Sequence, residues 1–195
     1  MIIGLTGSLA AGKGIVSDFL KEKDFIYYSL ANEVRLAAEE RRIEITRKNL
    51  QDLGNQLRKE RGSGVLAKLI YNKIHLYPKE ERKVIVDGIR NPAEVDKLKQ
   101  FKDFYLVSVD APADERFKRM CERKRESDPK TWEEFLAIDK RDKGIGEKEF
   151  GQAVGKCMQM ADYTLINDCL IEDTREKFER IYEDIISKGN GKKSR

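Results

Sequence analysis

The residues richest in chemistry stand at the start of the chain. Gly7-Ser8-Leu9-Ala10-Ala11-Gly12-Lys13-Gly14 follows an apolar run, Ile2–Thr6, and leads into a segment of helical periodicity, Lys13–Glu22. Gly7 and Gly12 allow a tight turn whose backbone N–H groups can surround phosphate oxygens. The helix beginning near Gly12 adds the positive end of its dipole, and Lys13 supplies a point charge. Phosphate binding is the chemistry this arrangement suits. One position departs from the usual pattern: Gly14 stands where a Ser or Thr hydroxyl ordinarily binds magnesium. Water, or Ser17 one helical turn later, is the candidate substitute.

A second constellation follows two further apolar runs. Val84–Asp87 ends in a carboxylate and continues into Gly88-Ile89-Arg90-Asn91, while Phe25–Ser29 is followed by Leu30-Ala31-Asn32-Glu33-Val34-Arg35. An aspartate at the end of a buried strand can orient magnesium or its waters, and an arginine nearby can grip a phosphate by two hydrogen bonds. Arg116, Arg119, Arg123 and Arg125 crowd a later helix, with Asp128 and then Arg141-Asp142 beyond it. Arginines closing over a transferring phosphoryl group offset its charge and exclude water, whereas a charge run is also the ordinary mark of a solvated helix face. Arg116 and Arg123 share a helix face, so helix geometry does not separate them.

These residues must be positioned by a framework. Ile2–Thr6, Phe25–Ser29, Val84–Asp87, Phe104–Asp110 and Tyr163–Ile166 read as short buried strands. Helical patterns cover Lys13–Glu22, Asn32–Arg41, Arg47–Arg61, Val65–Ile74, Pro92–Phe101, Pro112–Arg125, Thr131–Lys140, Phe150–Met160 and Asp173–Ser187. Strands alternating with helices require crossover connections, so the expected fold is α/β, a five-stranded, mainly parallel sheet with helices on both faces. Ligands then belong at the carboxyl ends of the strands. Thr46, and Thr131 with Glu134, read as N-caps. One domain is expected over residues 1–188, with a frayed tail at 189–195.

With these motifs in place, the chain resembles the P-loop nucleoside monophosphate kinases, and more closely a group of small kinase-like proteins with similar loops. The resemblance runs from Met1 to about Ile186. Ser29 and Arg35 match the S-T-G-D-M-L-R segment of adenylate kinases, and Asp87, Gly88 and Arg90 match their D-G-F-P-R motif with one residue missing. The resemblance implies a P-loop NTPase fold, with a helical acceptor-covering insertion at about 31–76 and a lid at about 116–150. It also implies ATP with Mg²⁺ on residues 7–14, catalytic roles for Lys13, Asp87 and Arg123, and metal on Asp87 through water. Ser29, Arg35 and Arg90 become the acceptor site, and Arg116, Arg119, Arg123 and Arg125 the lid arginines. Ala161-Asp162-Tyr163-Thr164-Leu165-Ile166-Asn167 is similar to the A-D-x-x-I-x-N segment of dephospho-coenzyme A kinases.

The acceptor is a matter of chemistry. A monophosphate offers an oxygen that is already anionic, so positioning and charge neutralisation suffice; a ribose hydroxyl calls for a carboxylate base. Only Glu33 offers such a base after the second strand, so a nucleoside or deoxynucleoside monophosphate is favoured over dephospho-coenzyme A. An ATP-binding switch or assembly protein without an acceptor is the reading from another class, and Gly14 supports it.

Composition bounds the partners. The 195 residues carry 39 basic and 35 acidic side chains, a net charge of +4 that argues for neither nucleic acid nor membrane. No apolar run reaches membrane-spanning length, and the start of the chain carries no basic leader. Cys121, Cys157 and Cys169 lack metal-site spacing, and His75 is the single histidine, which disfavours zinc and imidazole triads. A cytoplasmic monomer or weak dimer is expected.

Overall fold

The computed structural model describes residues 1–123 and 128–191. Its centre is a parallel sheet of five strands in the order β2-β3-β1-β4-β5, formed by β1 (Ile2–Gly7), β2 (Ile26–Ser29), β3 (Val84–Asp87), β4 (Phe104–Asp110) and β5 (Tyr163–Ile166). Side chains on a strand alternate between faces, and both faces are covered, which is why these strands read as continuous apolar runs. Ile2, Val84, Val86 and Leu106 enter one core, while Ile3, Leu5, Ile85, Val107 and Val109 enter the other.

The first core is capped by α2 (Leu30–Glu40), α3 (Arg47–Arg61), α4 (Val65–His75), α5 (Pro92–Leu98) and α8 (Val154–Gln159), through residues such as Leu53, Ile70, Val95 and Cys157. The second is covered by α1 (Lys13–Lys21) and α9 (Ile171–Gly191), where Phe19 meets Phe178 edge to face at 5.2 Å. Two more helices, α6 (Ala113–Arg123) and α7 (Trp132–Asp142), follow β4. Thr46 accepts the Asn49 N–H at 3.2 Å, and Thr131 with Glu134 forms a reciprocal capping box, as their sequence positions suggest.

Several boundaries differ from the sequence expectation, each for a local reason. The second strand starts at Ile26 because the Phe25 N–H still bonds the Leu20 carbonyl, in a turn that holds Asp24 at φ 66°. Helix α2 starts at Leu30, with Ser29 at its N-cap, rather than at Asn32. The helix expected over Phe150–Met160 shrinks to Val154–Gln159: the Asn91 side chain holds the carbonyls of Glu149 and Gly151 at 3.0 and 2.9 Å, outside helical geometry. Helix α9 runs from Ile171 through Gly191, so residues 189–191 continue a helix where fraying was expected; residues 192–195 lie outside the described residues.

Candidate functional site

The phosphate loop joins β1 to α1. Gly7 adopts φ 130° and Gly12 φ 96°, conformations that L side chains resist. Space excludes a side chain as well: a Cβ on Gly7 would stand 2.0 Å from the Val109 carbonyl oxygen, and one on Gly12 2.1 Å from Asn167 Nδ2. Lys13 Nζ donates to the carbonyls of Gly7 and Ser8, both at 2.9 Å, and so closes the turn on itself. Burial pushes the Lys13 pKa down to about 8, with Asp87 pulling the other way. Gly14 lies within the first turn of α1, outside the positive-φ glycines, and a Cβ there meets nothing within 4 Å among the described residues. Ser17 donates to the Lys13 carbonyl at 3.1 Å.

Parallel pairing aligns Asp87 with Leu5 on one side and with Ser29 on the other. The carboxylate therefore lies between the phosphate loop and the start of α2. Its Oδ2 accepts the Tyr27 hydroxyl at 2.7 Å, while Oδ1 is buried with no hydrogen-bond partner among the described residues. Burial raises the Tyr27 pKa, so the phenol remains a donor. After Asp87 the chain turns at Gly88, and Thr6 Oγ1 fixes the Ile89 carbonyl at 2.9 Å. The next two N–H groups, of Arg90 and Asn91, both donate to Glu94 Oε2 at 2.8 and 3.0 Å. Glu94 is fully buried, and its other oxygen accepts Arg58 Nε from α3 at 2.9 Å. Arg90 is thus placed by a buried ion pair that ties the helical insertion to the loop after β3.

A cavity of about 880 Å³ unites these parts. Gly7, Leu9 to Gly14, Ser29, Arg35, Asp87, Arg90, Arg119 and Arg123 all line it. Ser8 is buried and turns its hydroxyl toward Met158 Sδ, 3.9 Å away, so it is absent from the lining. Arg35 is exposed and reaches Asn32 Oδ1 at 3.0 Å.

The lid arginines part company. Arg116 is only 2% exposed and makes two bonds to Asp139, at 2.5 and 3.0 Å, with others to the carbonyls of Ala111 and Leu9. It joins α6, α7 and the phosphate loop and does not line the cavity. Arg119 Nη2 bonds the Asn167 carbonyl at 3.0 Å, and its Nη1 is buried without a partner among the described residues. Arg123 grips Asp128 with two bonds, at 2.5 and 2.8 Å. Arg125 lies outside the described residues.

Sequence reasoning left out Tyr27, Arg47, Arg58 and Gln152, all of which line the cavity. Arg47 had a usable signal. A cation directly after the N-cap Thr46 opposes the helix dipole, a placement that asks for a reason. Asn167, just past the end of β5, also braces the loop: its Nδ2 donates to the Ala11 carbonyl at 2.9 Å, and Oδ1 accepts Thr174 Oγ1 at 2.9 Å.

The Asp87 oxygen and the Arg119 nitrogen, unpartnered among the described residues, and the two glycines without room for a Cβ fit a nucleoside triphosphate with its metal. Among the described residues no helix is long and apolar enough to cross a membrane.

A family model described as an AAA domain matches residues 3–142. The UPF0200 protein PH1008 of Pyrococcus horikoshii is 33% identical over 190 residues, covering 96% of this chain and 98% of that protein. The UPF0200 protein PYRAB09750 of Pyrococcus abyssi is 35% identical over 191 residues, 96% of each chain. Among solved structures, TT1252 from Thermus thermophilus superposes with a TM-score of 0.57 at 19% identity, over 94% of this chain and 97% of that one. The shikimate kinase from Bacteroides thetaiotaomicron gives 0.55 at 18% identity, over 94% and 98%. At such identities the likeness is one of fold, the P-loop kinase-like α/β architecture. Matched by the domain model over most of its length and by the Pyrococcus proteins along nearly all of it, the chain belongs to the UPF0200 family and carries the AAA domain.

Proposed function

We propose that the chain is an ATP-dependent phosphotransferase whose acceptor is a nucleoside or deoxynucleoside monophosphate. One observation carries the reading: a single cavity sets the phosphate loop and Lys13 opposite Ser29, Arg35 and Arg90, with Asp87 aligned between them. In the reaction an acceptor phosphate oxygen bonds to the terminal phosphorus of ATP as the bond to the bridging oxygen breaks, and ADP leaves. The attacking oxygen is already anionic, so no base is required.

Magnesium, when bound with ATP, supplies charge neutralisation on the phosphate oxygens. Asp87 Oδ1 would hold it through water, since Gly14 offers no hydroxyl and no group of three or more His, Cys, Asp or Glu forms a metal site among the described residues. The loop N–H groups and Lys13 hold the phosphates, and Arg119 and Arg123 line the same cavity and add positive charge to it. Glu33, the base a dephospho-coenzyme A acceptor would need, accepts Lys73 Nζ at 2.7 Å and is not among the cavity residues. That pairing favours the phosphate acceptor.

The second reading, ATP binding without transfer, draws on Gly14 alone, because a missing metal hydroxyl weakens catalysis more than phosphate binding. Acceptor kinetics decide between them. Arg35→Ala and Arg90→Ala should each lower kcat/KM for the acceptor ~10- to 100-fold, the loss of a charge-assisted contact, with ATP binding little changed. Glu33→Gln should leave the rate intact. Arginine variants that turn over like the parent, or a rate that collapses with Glu33→Gln, would remove the monophosphate acceptor.

A further inference from the structure

Three guanidinium groups and two carboxylates meet at the acceptor side of the cavity: Arg47, Arg90 and Arg123 with Asp128 and Asp142. The carboxylates are deeply buried, each with only 6% of its side chain exposed. They are not held alike. Asp128 takes the two short bonds from Arg123. Among the described residues, Asp142, at the end of α7, receives only long contacts, from Gln51 Nε2 at 3.3 Å, Arg90 Nη1 at 3.4 Å and Arg47 Nη2 at 3.7 Å.

Among the described residues, Arg47 has the longest contacts of the three guanidinium groups. It approaches Asp128 and Asp142 at 3.8 and 3.7 Å, beyond hydrogen-bond reach, and burial lowers its pKa. It is also the first residue of α3, whose first turn contains no acidic side chain, so it faces the positive end of its own helix. Such a placement costs free energy that the two carboxylates, at 3.7 and 3.8 Å, offset less well than an anion in hydrogen-bond contact would.

We propose that Arg47 and Arg90 form the seat for the acceptor's phosphate, and that Asp142 is an exchangeable counter-ion which yields that seat when the acceptor arrives. A phosphate monoester presents three oxygens and nearly two negative charges, and can take paired bonds from two guanidinium groups, whereas a single carboxylate spans both only loosely. The ligand class is therefore a dianionic phosphate monoester. The assignment of that anion as the acceptor rests on the proposed phosphotransferase reading; the anion site itself does not.

Inorganic phosphate is the probe, titrated by calorimetry at low ionic strength into protein pre-mixed with excess ADP and magnesium, so that the phosphate loop is filled. Arg47→Gln should weaken phosphate binding ~10-fold or more, as expected for a lost charge-assisted contact. Asp142→Asn should tighten it severalfold, because the competing charge is gone while the side chain keeps its shape. Absence of phosphate binding by the parent, or unchanged affinity in Arg47→Gln, overturns the proposal. Should Arg47→Gln fail to fold, Asp142→Asn decides alone: affinity equal to or weaker than the parent's contradicts it. A protein that shows this pattern yet phosphorylates no monophosphate keeps the anion seat and loses its assignment to an acceptor.

Discussion

Asn167 stands where a side chain on Gly12 would have to be. Its Nδ2 would lie 2.1 Å from a Cβ at that glycine, and the same nitrogen holds the Ala11 carbonyl at 2.9 Å. The end of β5 thereby sets the shape of the phosphate loop. Asn167→Ala should cost ~1–3 kcal/mol of stability, since it strips partners from a buried carbonyl and from Thr174, and should shrink the rise in Tm produced by ATP. Gly12→Ala should abolish that rise. Urea unfolding and thermal shift check both, and an unaltered ATP response in either variant would detach Asn167 and Gly12 from the loop's function.

Gly14 has room for a side chain and a backbone that tolerates one. Gly14→Ser should therefore keep or raise the magnesium-dependent rate by restoring the hydroxyl on which resembling loops rely. Asp87→Asn should do the reverse, lowering kcat at least ~10-fold with little effect on ATP affinity, because the role proposed for Asp87 is on the metal during transfer. Steady-state kinetics with ATP binding measured in parallel separates the two effects.

The half-buried ammonium of Lys13, at the wall of the cavity, gives a pH signature. Its folded pKa, about 8, lies below the ordinary 10.5, so between those values the unfolded chain holds a proton that the folded protein has lost. In that window stability contributed at this site rises with pH; below about 8 the cost of burying the charge is felt in full. Lys13→Met should accordingly be more stable than the parent at pH 7, with an advantage that shrinks toward pH 10. Denaturant melts across that range test this, and a difference independent of pH would contradict it.

Arg116 and Arg123 should separate stability from activity. Arg116→Ala takes two bonds from Asp139, which keeps Lys143 Nζ at 2.9 Å, and should cost ~2–3 kcal/mol. Arg123→Ala removes a partly exposed guanidinium but strands the buried Asp128, so it should cost less stability than Arg116→Ala and should also lower kcat. Paired melting and rate measurements check this, and an Arg116→Ala variant as stable as the parent would undo its role as a strut.

The strands and the phosphate loop were legible in the sequence because their signals are local: apolar runs bounded by turns, and glycines at a fixed spacing. Asp87 and Arg90 were legible for the same reason, one ending a strand and the other in the turn after it. What stayed hidden depends on chain-distant packing. Arg116 and Arg123 lie on one helix face, and only the arrival of Asp139 from α7 shows which is consumed by the core. Arg58 reads as a surface cation until Glu94 is seen beneath it. The shortened α8 is likewise set by Asn91, far back in the chain.

The most direct measurement incubates the protein with ATP carrying a labelled terminal phosphate, magnesium and each nucleoside and deoxynucleoside monophosphate in turn, with dephospho-coenzyme A alongside, and identifies the product by mass. The account predicts label on the diphosphate of at least one monophosphate, lost in Lys13→Ala. Label on dephospho-coenzyme A alone, or on no acceptor while ATP still binds, would contradict it.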